Sequence, residues 1–211
     1  MPSFEFEDNY DGIVAGVDEA GRGPWAGPVV AGAVVFLNRK VDDFLLDNLN
    51  DSKKISAKKR EILYEKLILE KYNGNILAEV GVASADEIDR MNILQATFLA
   101  MKRAVDALEK TVNVAIVDGN QIPKTLDCKC VTLVKGDAKS YSVAAASIMA
   151  KVTRDRYMRD LAQKYPYFGF EKNAGYGTKD HIEGLKKYGI IKNEHRISYK
   201  PVAEILSNTK N

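Results

Sequence analysis

Apolar residues in this chain come in short runs and helical stripes that take turns along its length. Residues 13–17 form a short run that stops at Asp18-Glu19. Gly21-Arg22-Gly23-Pro24 and Gly27-Pro28 then punctuate the chain before the apolar stretch 29–37. That order predicts two neighbouring strands joined by a glycine-rich loop. Behind Ser56, an N-cap candidate, Ile62, Leu63, Leu67 and Ile68 recur with helical spacing as far as Asn73-Gly74, and residues 76–82 give a third strand. Ser84-Ala85-Asp86-Glu87 has the form of a capping box. Met91, Leu94, Phe98, Met101, Val105 and Leu108 make a core-facing stripe on the helix behind it. Residues 112–117 form a fourth strand that stops at Asp118-Gly119, and 130–134 a fifth that stops at Lys135-Gly136-Asp137. An alanine-rich helix over 140–165 follows. After it come a loop over 168–178, a helix over 179–188 closed by Gly189, and a last helical turn over 202–206.

The chain has 211 residues, which suits one compact domain with a small C-terminal appendage. Hydrophobic residues at 45% and charged ones at 28% exclude collagen-like, disordered and disulfide-scaffold classes. The longest apolar stretch is about half of the roughly 20 residues a membrane-spanning helix needs. The first eight residues are acidic and lack the basic start of an export signal, so the expected location is cytoplasmic. Cys128 and Cys130 fit neither a CxxC motif nor a zinc pattern and read as thiols in or beside a strand. His181 and His195 are the only histidines, expected to be structural or surface groups, so any metal must be held by oxygen. A net charge of +2 is too small for binding nucleic acid by bulk charge; placement must do that work.

Three strands therefore end in an acid: Asp18 with Glu19, Asp118, and Asp137. Functional groups gather where strands of a helix-flanked sheet finish, so these distant acids are candidates to converge. The plainer alternative is that each caps a turn. Clustered carboxylates repel each other unless cations offset them, and magnesium or manganese prefers such oxygen ligands. Two such ions roughly 4 Å apart suit phosphodiester hydrolysis. Neighbours on an extended strand point to opposite faces, so the strand is expected to bend at Asp18-Glu19. The loop over 16–22 is not a nucleotide-binding P-loop, because Arg22-Gly23 stands where Lys-Ser/Thr is required. Its glycines allow either close approach to a ligand or a tight hairpin. Lys151, Asp155 and Arg159 have the spacing of surface ion pairs.

Taken together, several motifs resemble bacterial ribonuclease HII, the type 2 ribonuclease H. They are residues 16–23 (Gly-Val-Asp-Glu-Ala-Gly-Arg-Gly), Asp51-Ser52-Lys53-Lys54, Val117-Asp118-Gly119, Lys135-Gly136-Asp137, Ala144-Ala145-Ala146-Ser147-Ile148 with Ala150-Lys151, and Gly175-Tyr176-Gly177-Thr178-Lys179. The resemblance runs from about residue 13 to 206. It implies an α/β ribonuclease H-like fold, a mixed five-stranded sheet flanked by helices, with residues 1–165 as catalytic domain and 166–211 as a helical part completing the substrate groove.

The resemblance also implies an activity: hydrolysis on the 5′ side of a ribonucleotide in duplex DNA, or of RNA in an RNA–DNA hybrid, with Mn2+ or Mg2+, two ions during catalysis. Asp18, Glu19, Asp118 and Asp137 match the family's active-site acids, the first three its usual cation ligands. Gly21, Arg22 and Gly23 match the motif that reads the ribose 2′-hydroxyl, and Tyr176 the tyrosine that packs on the adjoining deoxyribose. Ser52 and Lys53 look like phosphate contacts. The short N-terminal segment argues against the type 3 relative, and a monomer is expected. The competing readings are a junction resolvase of the same fold and a non-catalytic nucleic-acid-binding module.

Overall fold

The alternating runs fold into one sheet with helices on both faces. A computed structural model describes residues 1–50, 52 and 55–208. In chain order the elements are β1 (Val14–Ala20), β2 (Val29–Phe36), α1 (Asp43–Asn48), α2 (Ala57–Tyr72), β3 (Ile76–Ala83), α3 (Ala85–Met91), α4 (Ile93–Asp106), β4 (Val114–Asp118), β5 (Lys129–Leu133), α5 (Tyr141–Lys164), α6 (Phe170–Asn173), α7 (Lys179–Tyr188) and α8 (Lys200–Asn208). The sheet order is β3-β2-β1-β4-β5. β1 pairs antiparallel with β2 and β2 with β3, whereas β1–β4 and β4–β5 are parallel. This is the mixed five-stranded sheet expected.

Period-two alternation sorts the central strands onto two cores. Ala15 and Val17 of β1 face α4 with Ala31, Ala33, Ala115 and Val117, while Val34 of β2 faces α5 with Ala144, Ala145, Ala146 and Ile148. The small residues are there for close approach. A Cβ on Gly16 would stand 2.1 Å from the carbonyl carbon of Ser142, and one on Gly32 2.3 Å from the Ala146 oxygen. The N-terminus of α5 is fixed from far away in sequence: Glu7 Oε1 accepts from Ser140 Oγ, Ser142 N and Ser142 Oγ at 2.7, 3.0 and 2.6 Å.

Four expectations need correction. β1 does not end or bend at Asp18-Glu19; both acids lie in the strand, paired with Gly32 and Ala31 of β2. What ends there is the parallel ladder to β4, whose last pair is Val17↔Val117, so Asp18 sits where one neighbour has run out. The stripe from Met91 to Leu108 spans two helices, not one. Asn92, at φ 70°, closes α3 and caps α4, its Oδ1 accepting from the Leu94 and Gln95 N–H groups at 3.0 and 3.2 Å. Leu94 lines a recess beside Glu19 and Asp118 rather than the core. Within the predicted loop 168–178, Phe170 and Phe168 stack at 5.3 Å and α6 forms, because two buried aromatics order that stretch.

Other boundaries agree with the sequence reading. Ser56 caps α2, Ser84 and Glu87 form the capping box, and Ser140 and Tyr165 flank α5. Met158, Leu161, Phe168, Phe170, Leu185 and Ile191 bury one another, which holds the C-terminal helices against the end of α5.

Candidate active site

Asp18 is 6% exposed on the face of β1 that meets α5, and its Oδ1 accepts the Glu19 N–H at 2.7 Å. Burial, then the charges of Glu19 and Asp118, push its carboxyl well above the ordinary 3.8. Glu19 projects to the α4 face beside Arg22, whose Nη1 lies 3.5 Å from Glu19 Oε1. Asp118 closes β4, and its Oδ1 accepts the Gly136 N–H at 2.7 Å. That bond ties the end of β4 to the turn after β5, where Asp137 follows at once in a one-turn 3-10 helix and is itself buried.

As ligands, these carboxylate oxygens fit a hard dication: Asp18 and Asp137 are buried, and the charges of Glu19 and Asp118 already raise the proton affinity of Asp18. Among the described residues no three His, Cys, Asp or Glu side chains stand as a ready-made metal cage. The backbone bonds hold the two carboxylates differently, Asp18 to the next peptide of β1 and Asp118 to the turn after β5.

The opposite wall of the same cleft, about 470 Å³ in volume, is the loop after β1 with Tyr176. Gly21 adopts φ +99°, and a Cβ there would stand 2.1 Å from Arg154 Nε; no other residue type fits. Tyr176 is half exposed, its ring against Gly23. Two fully buried arginines stand behind this wall without a carboxylate partner among the described residues. Arg154 donates to the carbonyls of Pro28, Ala174 and Ala26 at 3.0, 3.1 and 3.1 Å. Arg196 donates to Gly21, Arg22, Gly27 and Pro28 at 2.6 to 3.1 Å. Burial and the neighbouring Arg196 charge lower Arg154 to about 10, still protonated at neutral pH.

The histidines are structural, as expected. Ile191 N–H donates to His195 Nδ1 at 2.8 Å, so the His195 proton sits on Nε2, 3.0 Å from His181 Nε2. His181 then carries its own proton on Nδ1, 3.0 Å from the Tyr176 carbonyl. Burial lowers both pKa values, that of His195 to about 4 with the charge of His181 adding to the effect.

The structure thus brings Asp18, Glu19, Gly21, Arg22, Gly23, Ser52 and Tyr176 to one cleft; Asp118 is near enough for its charge to act on Asp18, and Asp137 follows the Gly136 that Asp118 binds. Lys53 lies outside the described residues. Ser52 is buried, and its Oγ accepts from Ser147 Oγ at 2.7 Å. Ser147, Lys151 and Arg154 also line the cleft, at positions i, i+4 and i+7 of α5. That spacing was the available signal, but Lys151 reads first as half of an ion pair. It does pair with Asp155 at 2.6 Å; the second partner of Asp155 is Arg60 at 3.7 Å rather than Arg159, which turns to Glu61. Arg196 and Tyr199 left no local signal. The thiols are inert, with burial raising Cys130 to about 11.

A mixed five-stranded sheet of this order, with Asp18 where the β1–β4 ladder stops and Asp118 closing β4, has the ribonuclease H-like architecture. The comparisons narrow this to a family. A family model described as Ribonuclease HII matches residues 15–202. A ribonuclease HII of Paramagnetospirillum magneticum is 50% identical over 206 residues, covering 98% of this chain and 99% of its own. The crystal structure of ribonuclease H2 from Pyrococcus horikoshii OT3 superposes with a TM-score of 0.76 at 31% identity, covering 95% of this chain and all of that one. A Bst-RNase HIII solved in complex with Mn2+ shares the fold, with a TM-score of 0.72 at 18% identity over 94% of this chain and 70% of its own. The chain belongs to the ribonuclease HII family and is a ribonuclease H, an endonuclease acting on RNA–DNA hybrids. No helix among the described residues is long and apolar enough to cross a membrane.

Proposed function

We propose that the chain cuts the phosphodiester on the 5′ side of a ribonucleotide, either one embedded in duplex DNA or one within an RNA–DNA hybrid, leaving a 3′-hydroxyl and a 5′-phosphate. The observation that carries this reading is the shared cleft: the carboxyl groups of Asp18 and Glu19 on one wall, backbone-rich Gly21-Arg22-Gly23 with Tyr176 on the other. Asp18, Glu19, Asp118 and Asp137 would hold Mn2+ or Mg2+, two ions in the working enzyme, which when bound supply Lewis acidity toward the phosphate and the attacking water.

The protein's own part is placement. The 2′-hydroxyl is donor and acceptor at once, so backbone groups of residues 21–23 can recognise it without reading the base, and the Tyr176 ring packs on the adjoining deoxyribose. Ser52 and Lys53 contact phosphate, and residues 166–211 complete the groove of the domain formed by 1–165. The enzyme acts as a cytoplasmic monomer.

The test is a duplex with one ribonucleotide beside an all-DNA duplex and a branched DNA junction, each with Mn2+ or Mg2+ and with EDTA. A metal-dependent nick only at the ribonucleotide, leaving an end that a polymerase extends, is the expected result. Equal cutting of the junction would favour a resolvase, and binding without any nick a non-catalytic module.

A further inference from the structure

Arg196 is fully buried and does not line the cleft, yet its guanidinium reaches two consecutive peptide groups of the loop just described. Nη2 donates to the Gly21 carbonyl at 2.6 Å and Nη1 to the Arg22 carbonyl at 2.9 Å. Tyr199 Oη donates to that Arg22 carbonyl at 2.6 Å and accepts from Arg196 Nη1 at 3.0 Å. A trans peptide is planar, with its N–H opposite its C=O. Pinning the carbonyls of residues 21 and 22 inward therefore turns the N–H groups of Arg22 and Gly23 away from Arg196. Neither N–H has a partner among the described residues. A pair of unpaired donors beside a cleft of acids is costly to leave unused and suits an oxygen ligand.

The clamp is braced in turn. Asp89 of α3 accepts the Ile197 and Ser198 N–H groups, both at 2.9 Å, which fixes the turn that carries Tyr199. Arg196 N–H donates to the Trp25 carbonyl at 2.8 Å, and Gly27 N–H to the Glu194 carbonyl at 2.8 Å.

We infer that Arg196, with Tyr199, is the specificity-positioning element of the enzyme: by holding the Gly21 and Arg22 carbonyls it aims the Arg22 and Gly23 N–H groups at the ribose 2′-oxygen. Neither residue touches substrate. The inference rests on the reading that residues 21–23 recognise the 2′-hydroxyl. Lysine at 196 would keep the charge but could not fork across two carbonyls. Phenylalanine at 199 would keep the ring and remove one of the two donors to Arg22.

The experiment measures affinity by fluorescence anisotropy in EDTA, for a duplex with one ribonucleotide and for the same duplex in DNA alone, using wild type, Arg196→Lys, Tyr199→Phe and Gly23→Ala. The expected result is a loss of ribonucleotide preference of about tenfold in Arg196→Lys and about threefold in Tyr199→Phe, with affinity for DNA alone unchanged. Should Arg196→Lys fail to fold, Tyr199→Phe decides. Unchanged preference in Tyr199→Phe, or an equal loss for both duplexes, overturns the inference. If Gly23→Ala collapses the preference while the clamp variants keep it, only the clamp is wrong; if Gly23→Ala also keeps it, the reading of the loop itself fails.

Discussion

The two walls of the cleft treat charge in opposite ways. On the β1–β4 wall, Asp18 is buried beside two other carboxylates and holds its proton well above the ordinary range. On the loop wall, Arg154 and Arg196 are as deeply buried, yet their donors end on backbone carbonyls of the surrounding loops. Glu87 shows what an acid with its cation looks like here: Arg103 grips it at 2.7 and 2.9 Å and its pKa falls to about 2. A buried charge that the fold satisfies is scaffold, and one that the fold leaves in conflict is waiting for a ligand.

The largest expected effects test that contrast by sign. Arg154→Met strands the carbonyls of Ala26 and Ala174, while Pro28 keeps Arg196 as its donor; at about 1–3 kcal/mol for each unsatisfied group, urea unfolding should show a loss of at least about 2 kcal/mol. Asp18→Asn removes a charge the ion-free fold resists, so without metal its Tm should rise. Its turnover should nonetheless fall by about a thousandfold, about 4 kcal/mol of transition-state stabilisation. A drop in metal-free Tm for Asp18→Asn would make Asp18 scaffold and erase the contrast.

Metal should stabilise only through the acid wall. With Mn2+ at about 100 times its dissociation constant, the wild type gains about 2.7 kcal/mol by mass action, and Asp18→Asn should gain much less. Equal thermal shifts in the two proteins would place the ion elsewhere.

The walls should also respond oppositely to pH in EDTA. The folded pKa of His195, about 4, lies below its ordinary 6.5, so in that window the unfolded chain binds the extra proton and stability falls as pH drops. For one proton the slope is at most about 1.4 kcal/mol per pH unit. Asp18 has its folded pKa raised, so the folded chain binds the extra proton and stability falls as pH climbs above 3.8. Urea midpoints across pH 4 to 7 should therefore fall more steeply on acidification in Asp18→Asn than in wild type, because the opposing term is gone. Parallel curves would remove Asp18 from the balance.

What could be read from the chain was what neighbours in sequence decide. The short apolar runs, the Ser56 and Ser84 caps and the Gly189 stop are local, and each stands where expected. The acids were legible as chemistry, but their setting was not: whether β1 continues past Asp18 depends on β2, which keeps pairing as far as Ala20↔Val30. The Asn92 break gave no glycine or proline signal, since asparagine reaches positive φ with its own side chain as cap. Arg196 acts on carbonyls some 170 positions away, and Glu7 caps α5 from 133 away; no window along the chain contains both partners.

The smallest effect belongs to the capping box of α3, and it asks how rigid the satisfied wall is. Ser84 Oγ accepts the Glu87 N–H at 3.2 Å, and Glu87 Oε2 accepts the Ser84 N–H at 2.9 Å. Ser84→Ala loses only the first bond, for about 1 kcal/mol by urea unfolding. Glu87 remains locked by Arg103, so α3 should stay in place, and with it Asp89, which holds the turn bearing Tyr199. Cutting at a lone ribonucleotide should then change by less than about twofold, since the lost stability is global and leaves the native population nearly full. A larger loss of cutting at that small cost in stability would mean that the clamp transmits slight movements of α3 to residues 21–23. The loop wall would then be an adjustable support rather than a fixed one.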